Sequence, residues 1–523
     1  MIKHRLVSLA LLLTMLFALP AAADDQPNII FIFSDDHTAQ AVGAYQGHLD
    51  YGLELNHSPT PNIDRLAQQG MRFDNAFVAN SICKPSRAAV LTGKFGHLNG
   101  MKDNKNPNFN RDQFSFPPHL QEAGYETAVI GKWHLGSKPK GFDYYHILYG
   151  QGPYYNPKMR TPDGDVRHTG YTSNIITDQA LSWLEDQEDK DEPFMLMYQH
   201  KAPHRNWIPG PDEANAYAGQ TLAEPDTLFY DYEGLASPAH NQDMMIHGTM
   251  KWGWDLKVPT NPHTGETGKQ WNRFKNQVNE EQLKWLKQAY RPANERLHEN
   301  IDNWSEKELT RWKYQRYIKD YLRSIRGLDT GVGKIMQFLE RNDLKEDTIV
   351  VYTSDQGFFL GENGWFDKRW MYEESFRTPF IVRWPGTVER GSSNDDFVQN
   401  IDFGPTIMDM AGVDVPDEVQ GRSLVPLMKG NTPDNWRDSL YYQYFEYPAV
   451  HSVRRHYGVR TERYKLIHYY RAGEWELFDL KKDPEELQSV YGDPEYKQVQ
   501  KRMKQELKRL QDKYDVPDKI ALD

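Results

Sequence analysis

Short apolar runs punctuate this chain, and four of them end in polar groups with acid–base or ligand capacity. Ile29-Ile30-Phe31-Ile32-Phe33 is apolar at every position, as a parallel strand buried on both faces requires. It stops at Ser34-Asp35-Asp36-His37. Leu120 to Ala123 reads as helix and Gly124 as its stop. Thr127 to Ile130 then predicts a strand that leads into Gly131-Lys132-Trp133-His134. Phe194 to Tyr198 leads into Gln199-His200-Lys201-Ala202-Pro203-His204, and Thr348 to Thr353 into Ser354-Asp355-Gln356-Gly357. Polar clusters directly after central strands lie where open α/β sheets place their ligands.

Other stretches carry helical or alternating periods. Pro61 to Gln69 predicts a short helix capped by Thr60, with Ile63, Leu66 and Ala67 inward. Tyr314, Ile318, Tyr321, Ile325, Leu328, Val332 and Ile335 recur at helical spacing and predict a long helix whose stripe is core. From about Pro211 to Trp312, polar and aromatic residues mix with Pro and Gly without a sheet pattern, which predicts an insertion forming one wall of a cleft. After Asp438, Tyr464 to His468 and Trp475 to Asp479 predict a small antiparallel sheet. Tyr496, Val499, Met503, Leu507, Leu510 and Tyr514 predict a closing helix. The expected fold class is α/β: a large mixed, mostly parallel sheet sandwiched by helices over 24–437, insertion 211–312 included. A smaller α+β subdomain follows over 438–523.

The start of the chain reads as a secretory signal over 1–23. Lys3 and Arg5 precede an apolar run from Leu6 to Leu19, and Ala21-Ala22-Ala23 supplies a small-residue cleavage site. That run is short for a membrane span, and no later stretch is apolar enough for one. The expectation is a secreted or periplasmic protein with no membrane partner. Sixty-two Lys+Arg stand against 74 Asp+Glu, for a net charge of −12, or −14 once Lys3 and Arg5 are removed. That balance argues against a nucleic-acid partner. It leaves a small anionic ester open, because the charges lining a site matter more there than the total. Fourteen tryptophans and thirty tyrosines supply the core and leave some rings for stacking on sugars.

Cys83 is the only cysteine, so it forms no intramolecular disulfide, and its distance from the cleavage site rules out a lipoprotein anchor. It stands in Ser81-Ile82-Cys83-Lys84-Pro85-Ser86-Arg87, continuing to Thr92-Gly93. Pro85 suits a first helical turn and Ala88 to Leu91 a helix interior. Cys83 is thus expected just before a helix N-terminus, where free N–H groups favour an anion and Arg87 adds a fixed fork. An isolated cysteine is otherwise read as a small buried hydrophobe. Asp35, Asp36 and Asp355, with the Gln356 amide oxygen, make an all-oxygen set suited to a hard divalent cation, calcium above all. Without a cation, the clustered carboxylates resist joint ionisation.

Cys83-Lys84-Pro85-Ser86-Arg87 with Thr92-Gly93 resembles the signature of the type I sulfatases of the alkaline phosphatase superfamily. Lys84 stands where that family usually has a small residue. Gly124 to His134 is similar to the second family signature. The similarity runs from Asn28 to about Gly421, and Leu477 to Glu486 is similar to the usual C-terminal strand and turn. The resemblance implies that a formylglycine-generating enzyme oxidises Cys83 to formylglycine (3-oxoalanine). It implies Ca2+ held by Asp35, Asp36, residue 83, Asp355 and Gln356. It implies that Arg87, Lys132 and Lys368 neutralise the sulfuryl oxygens. Asp355 then activates the attacking hydroxyl, His134 deprotonates the second hydroxyl, and His204 protonates the leaving oxygen. The implied reaction is sulfate ester hydrolysis on a saccharide from a glycosaminoglycan or algal polysaccharide. Ser354 to Gly357, Phe366 to Arg369 and Tyr372-Glu373 look most like bacterial N-acetylglucosamine-6-sulfatases. Arg205, Trp207, Trp365, Asp367 and Arg369, on loops after His204 and Gln356, are expected to meet the sugar, the tryptophans by stacking. Two other readings stand beside this one. A phosphatase or phosphonate monoester hydrolase of the same superfamily is the first, although the histidine-rich set of a two-zinc phosphatase is missing. The second is a non-catalytic binder of sulfated glycans, if Cys83 stays a thiol.

Overall fold

An all-apolar strand needs cover on both faces, and the central sheet has it. The computed structural model describes residues 26–518 apart from 54, 56, 57, 188, 189 and 191, so the signal segment expected over 1–23 lies outside the described residues. Ten strands form one sheet: β1 (Asn28–Ser34), β2 (Met71–Phe73), β3 (Glu126–Gly131), β4 (Tyr144–Leu148), β5 (Lys158–Thr161), β6 (Gly164–Arg167), β7 (Phe194–Gln199), β8 (Thr348–Ser354), β9 (Phe380–Arg383) and β10 (Ser392–Asn394). Their order is β10-β2-β9-β8-β1-β7-β3-β4-β5-β6. The run from β8 to β4 is parallel, while β9 is antiparallel to β8, and β5 and β6 form an antiparallel edge. Along β1 the pleat sends Ile30 and Ile32 into one core with Leu196, Val350 and Val332. Ile29, Phe31 and Phe33 enter the other with Met195, Ile349 and Val90. Both faces are buried, hence the unbroken apolar run.

Register then fixes where the strand ends lie. Ser34 pairs with Ser354, Phe33 with Gln199, and Gly131 with Gln199. Four neighbouring parallel strands therefore release their chains at one level, roughly 4.8 Å apart.

Helices cover the sheet: α1 (Pro61–Gln68), α2 (Cys83–Thr92), α3 (Thr172–Glu185), α4 (Glu280–Asn300) and α5 (Glu306–Arg341). The Thr60 hydroxyl does not cap α1; it donates to Asp64 at 2.9 Å. Asp329 of α5 accepts the first-turn N–H groups of Asn62 and Ile63 instead, at 3.0 and 2.9 Å. α5 starts with a capping box between Ser305 and Glu308, and all seven expected stripe residues are buried. It begins inside the stretch expected to be irregular, which also contains α4 and a short helix, Lys269–Lys275. The chain ends in an antiparallel meander of β11 (Ser439–Tyr444), β12 (His456–Thr461), β13 (Tyr464–Tyr469) and β14 (Glu474–Asp479). Helix α6 (Lys497–Lys513) closes it, burying Met503, Leu507 and Leu510 against Leu466 and Leu477. Among the described residues no helix is long and apolar enough to cross a membrane.

Candidate active site

The strand ends and one helix start bring the expected groups to one centre. β1 delivers Asp35 and Asp36, and Asp36 takes a left-handed backbone (φ 67°), which lets adjacent carboxylates turn to the same point. α2 delivers Cys83 as its first residue, not just ahead of the helix as expected, and ends at Gly93 in a left-handed cap (φ 62°). One oxygen from each of Asp35, Asp36 and Asp355 lies with the Cys83 Sγ in a set whose atoms are all within 4.8 Å of one another. Asp35 Oδ1 accepts from the thiol at 3.4 Å. Gln356 Nε2 lies 3.7 Å from Sγ and donates to Asp36 Oδ1.

Three cations face these three carboxylates. Arg87 Nε donates to Asp355 Oδ2 at 3.0 Å, and its Nη1 to the Lys132 carbonyl at 2.7 Å and Gln199 Oε1 at 2.8 Å. Its Nη2 is buried without a partner. The Lys132 ammonium pairs with Asp35, and Lys368 reaches both oxygens of Asp36 at 2.6 Å. Burial alone would raise the Asp35 carboxyl, but Lys132, helped by Arg87 and Lys368, holds it well below the usual range. Burial pushes Asp36 up to about 6 against the pull of Lys368. Burial, then the charge of Asp35, pushes Asp355 up to about 8. The Cys83 thiol is raised by burial despite both lysines. A thiol held protonated is a poor nucleophile.

Two histidines border the cluster. His134 has a left-handed backbone (φ 60°) and a buried Nδ1 without a partner; burial, then Lys132, holds its pKa well below the ordinary value. His204 donates from Nδ1 to the Arg205 carbonyl at 2.6 Å. Its Nε2 is therefore the inward atom, 3.8 Å from Asp36 Oδ2, and burial keeps the ring neutral.

The donor set fits a hard cation. Gln356 Oε1 is buried without a partner, and such an orphan costs about 1–3 kcal/mol unless something satisfies it. With the Gln356 amide turned so that Oε1 takes the place of Nε2 beside Asp36, a divalent ion among the three carboxylates and that oxygen would do so with the ligand type calcium prefers.

The residues expected to meet a sugar divide into two groups. Trp207 and Trp365 are fully buried. Trp365 lies between Trp370 (5.2 Å, 13°) and Tyr232 (5.4 Å, 24°), and Trp207 packs on Tyr317, Phe358 and Phe366. Protein rings already occupy their faces, so the stacking expectation is corrected: both are core. Arg205 is held by a fork on Asp255 at 2.7 and 2.6 Å. Asp367 pairs with His451 at 3.1 Å and Arg369 at 3.4 Å, and Arg369 reaches Glu446 at 3.5 Å. These three sit one layer out from the carboxylates, with Lys368 joining the layers.

Several participants escape a reading of the sequence. Lys201 is buried near the cluster, its pKa pushed down to about 7 by burial and then Lys132; its place after β7 was the available signal. Gln199 and Ser86 hold Arg87 and the Asp355 backbone, and Asn400 holds Ser86 at 2.8 Å. Tyr321, read as helix stripe, donates to the Asp36 carbonyl at 2.7 Å and accepts from the Thr38 N–H at 3.1 Å. His451 and Glu446 come from the loop between β11 and β12, with no sequence pattern pointing to them.

Comparison with known proteins gives the same picture. The family profile described as Sulfatase matches residues 27–413, and that described as N-sulphoglucosamine sulphohydrolase, C-terminal, matches 361–513. An N-acetylglucosamine-6-O-sulfatase of Bacteroides thetaiotaomicron is 46% identical over 497 residues, covering 94% of this chain and 87% of that protein. An N-acetylglucosamine-6-sulfatase of Homo sapiens is 26% identical over 452 residues, covering 81% and 68%. Among solved structures, one in complex with its substrate D-glucosamine-2-N,6-O-disulfate superposes with a TM-score of 0.88 at 44% identity, covering 95% of this chain and 99% of that one. The phosphonate monoester hydrolase of Agrobacterium radiobacter, at 19% identity and a TM-score of 0.67 over 93% and 96%, shares the fold. Clustered carboxylates, three cations and a buried cysteine at a helix start thus sit within a chain that matches the sulfatase profile over most of its length, and this protein belongs to the sulfatase family, an enzyme that hydrolyses sulfate esters.

Proposed function

We propose that this enzyme removes the 6-O-sulfate from a sulfated glucosamine of a glycosaminoglycan-type saccharide, using calcium and a formylglycine made from Cys83. The observation that carries this reading is the convergence of Asp35, Asp36, Asp355 and Gln356 on the one cysteine, in a chain 46% identical to an N-acetylglucosamine-6-O-sulfatase. Calcium held by Asp35, Asp36, Asp355, Gln356 and residue 83 supplies positive charge where oxyanions develop. Oxidation of Cys83 by a formylglycine-generating enzyme supplies an aldehyde whose hydrate carries two hydroxyls on one carbon. We place the enzyme outside the cytoplasm, on the strength of the signal segment.

The chain's own residues have distinct tasks in this reading. Arg87, with its unpartnered Nη2, Lys132 and Lys368 meet the sulfuryl oxygens and stabilise their growing charge. Asp355 takes the proton of the attacking hydroxyl, and His134 accepts one at its free Nδ1. His204 presents Nε2 to the leaving oxygen; a bound anion opposes the burial that keeps this ring neutral. Arg205, Asp367 and Arg369 hold the sugar from the outer layer. Two measurements test the proposal together: peptide mass spectrometry at position 83, and sulfate release from glucosamine carrying sulfate at 6-O, at 2-N or at both. Release from the 6-O position with formylglycine at 83 is expected. An unmodified cysteine in active enzyme, or faster turnover of an aryl phosphate than of an aryl sulfate, overturns it.

A further inference from the structure

Away from the strand ends, α4, α5 and the segment 211–219 enclose a cleft of about 660 Å³, within the size range of ligand sites. Five cations line it: Arg291 and Arg296 from α4, and Arg316, Lys319 and Arg323 from α5. No Asp or Glu is among its lining residues. Positions 316, 319 and 323 share one face of a helix. In a chain of net charge −12, this is a local reversal of sign.

Two nearby carboxylates engage these cations, Asp320 from beneath through Arg323 and Glu295 at the surface through Arg291. Asp320 is fully buried, accepting from Lys257 at 2.9 Å, Arg323 at 3.0 Å and Tyr290 at 3.1 Å. Glu295 faces Arg291 at 3.8 Å as an exposed pair, an interaction of little worth. Arg316 is 6% exposed and donates from Nη2 to Asn294 at 2.5 Å, yet its Nε is buried without a partner. Crowding shows at Lys319: burial first, then Arg323, Arg316 and Arg296, pushes its pKa down. Beside the cations stand the half-buried Trp285 and the amides of Asn215 and Gln288, while the Gln315 amide is held by the Leu222 backbone at 3.0 and 2.7 Å. Guanidinium forks suit sulfate and carboxylate, and amides suit vicinal hydroxyls. A long nucleic acid would meet the chain's overall negative field, whereas a short ligand meets the local one.

We propose that this cleft is a second, non-catalytic site for an anionic oligosaccharide, its sulfates or carboxylates on the arginines and one sugar face on Trp285. The proposal does not depend on which sulfate the strand-end site cleaves. The test is calorimetric titration in a Cys83→Ala background, so that the ligand is not consumed. The probes are a heparin-derived hexasaccharide, its desulfated counterpart, inorganic sulfate and a single-stranded DNA oligonucleotide. Two hexasaccharide equivalents per chain are expected. The Arg291→Glu/Arg296→Glu/Lys319→Glu variant should bind one, with cleft affinity down at least tenfold. The same three charge reversals in otherwise unaltered enzyme should leave sulfate release from a monosaccharide unchanged. Arg296→Ala alone, at an exposed position, should weaken cleft binding in the same direction, and Arg296→Lys should largely retain it. A single equivalent in both chains, binding indifferent to these substitutions or to desulfation, or tighter binding of DNA or bare sulfate than of the hexasaccharide overturns the proposal.

Discussion

Trp365 and Arg369 stand four residues apart, and their surroundings assign them different work. Trp365 is sandwiched by Trp370 and Tyr232, so replacing it should be felt as lost packing. Trp365→Phe is expected to cost about 1–3 kcal/mol of stability, seen as a lower Tm, with KM unchanged. A KM raised tenfold with an unaltered Tm would restore it to the sugar site. Arg87 is the converse case, because its fork ties Asp355, Lys132 and Gln199 into one frame. Lysine has the charge but not the fork, so Arg87→Lys should lower kcat by about 10²–10³, the usual size for one lost oxyanion donor. Turnover within a few-fold of the parent would show that charge alone suffices. A tryptophan in a polar loop reads the same whether its ring is wet or sandwiched, which is why the sequence mistook Trp207 and Trp365 for sugar contacts. Asp35, Asp355 and Lys132 were legible because each directly follows a strand whose unbroken apolar run marks it as central.

Between elements, geometry the sequence only hints at becomes decisive. Gly131 ends β3 with φ 110°, and a Cβ there would stand 1.7 Å from the Gln199 carbonyl of β7. Gly131→Ala must therefore push β3 from β7 and move Lys132 with it; loss of soluble protein or of turnover is expected, and a fully active variant would refute this account of the strand spacing. The meander packs on the aromatic core around Trp365 through His456, whose ring stacks on Trp370 (5.8 Å, 29°) and, within the meander, on Tyr442 of β11 (5.5 Å, 26°). Its Nδ1 donates to the Arg454 carbonyl at 2.8 Å, and its Nε2 is buried without an acceptor in reach. Burial therefore lowers the pKa from 6.5 to about 4. The unfolded chain takes up this proton first as pH falls, so stability complete above pH 6.5 is lost between 6.5 and 4, by about 3 kcal/mol. His456→Phe should remove that increment from the acid limb of a denaturation series. Parallel pH profiles for the two proteins would sink the assignment. Periodicity announced the meander and the long helix, but not that Tyr321 would hold the Asp36 loop or that His451 would reach Asp367. Those contacts join segments far apart in the chain, and no local pattern encodes them.

At the scale of the whole molecule, the centre is a junction of segments that the sheet alone does not bind. Asp35 and Asp36 follow β1, Asp355 and Gln356 follow β8, and residue 83 opens α2; Lys132 and Lys368 come from two further segments. Carboxylate repulsion within this junction is offset only in part by Arg87, Lys132 and Lys368, with Asp36 and Asp355 still raised, and Gln356 Oε1 is left unsatisfied. A cation that satisfies it binds the folded chain and not the unfolded one, so it stabilises by RT ln(1 + [L]/Kd), about 2.7 kcal/mol at a hundredfold excess over Kd. Calcium added to chelated enzyme is thus expected to raise Tm by a few degrees and to restore sulfate release, with magnesium doing less because it demands a tighter octahedral shell. Asp355→Asn should abolish the calcium-dependent part of the Tm shift while leaving the chelated Tm near or above that of the parent, since it also removes a carboxyl that burial drives up to about 8. Equal calcium shifts in the two proteins would place the ion somewhere other than these strand ends, and the chemistry assigned to them would have to move with it.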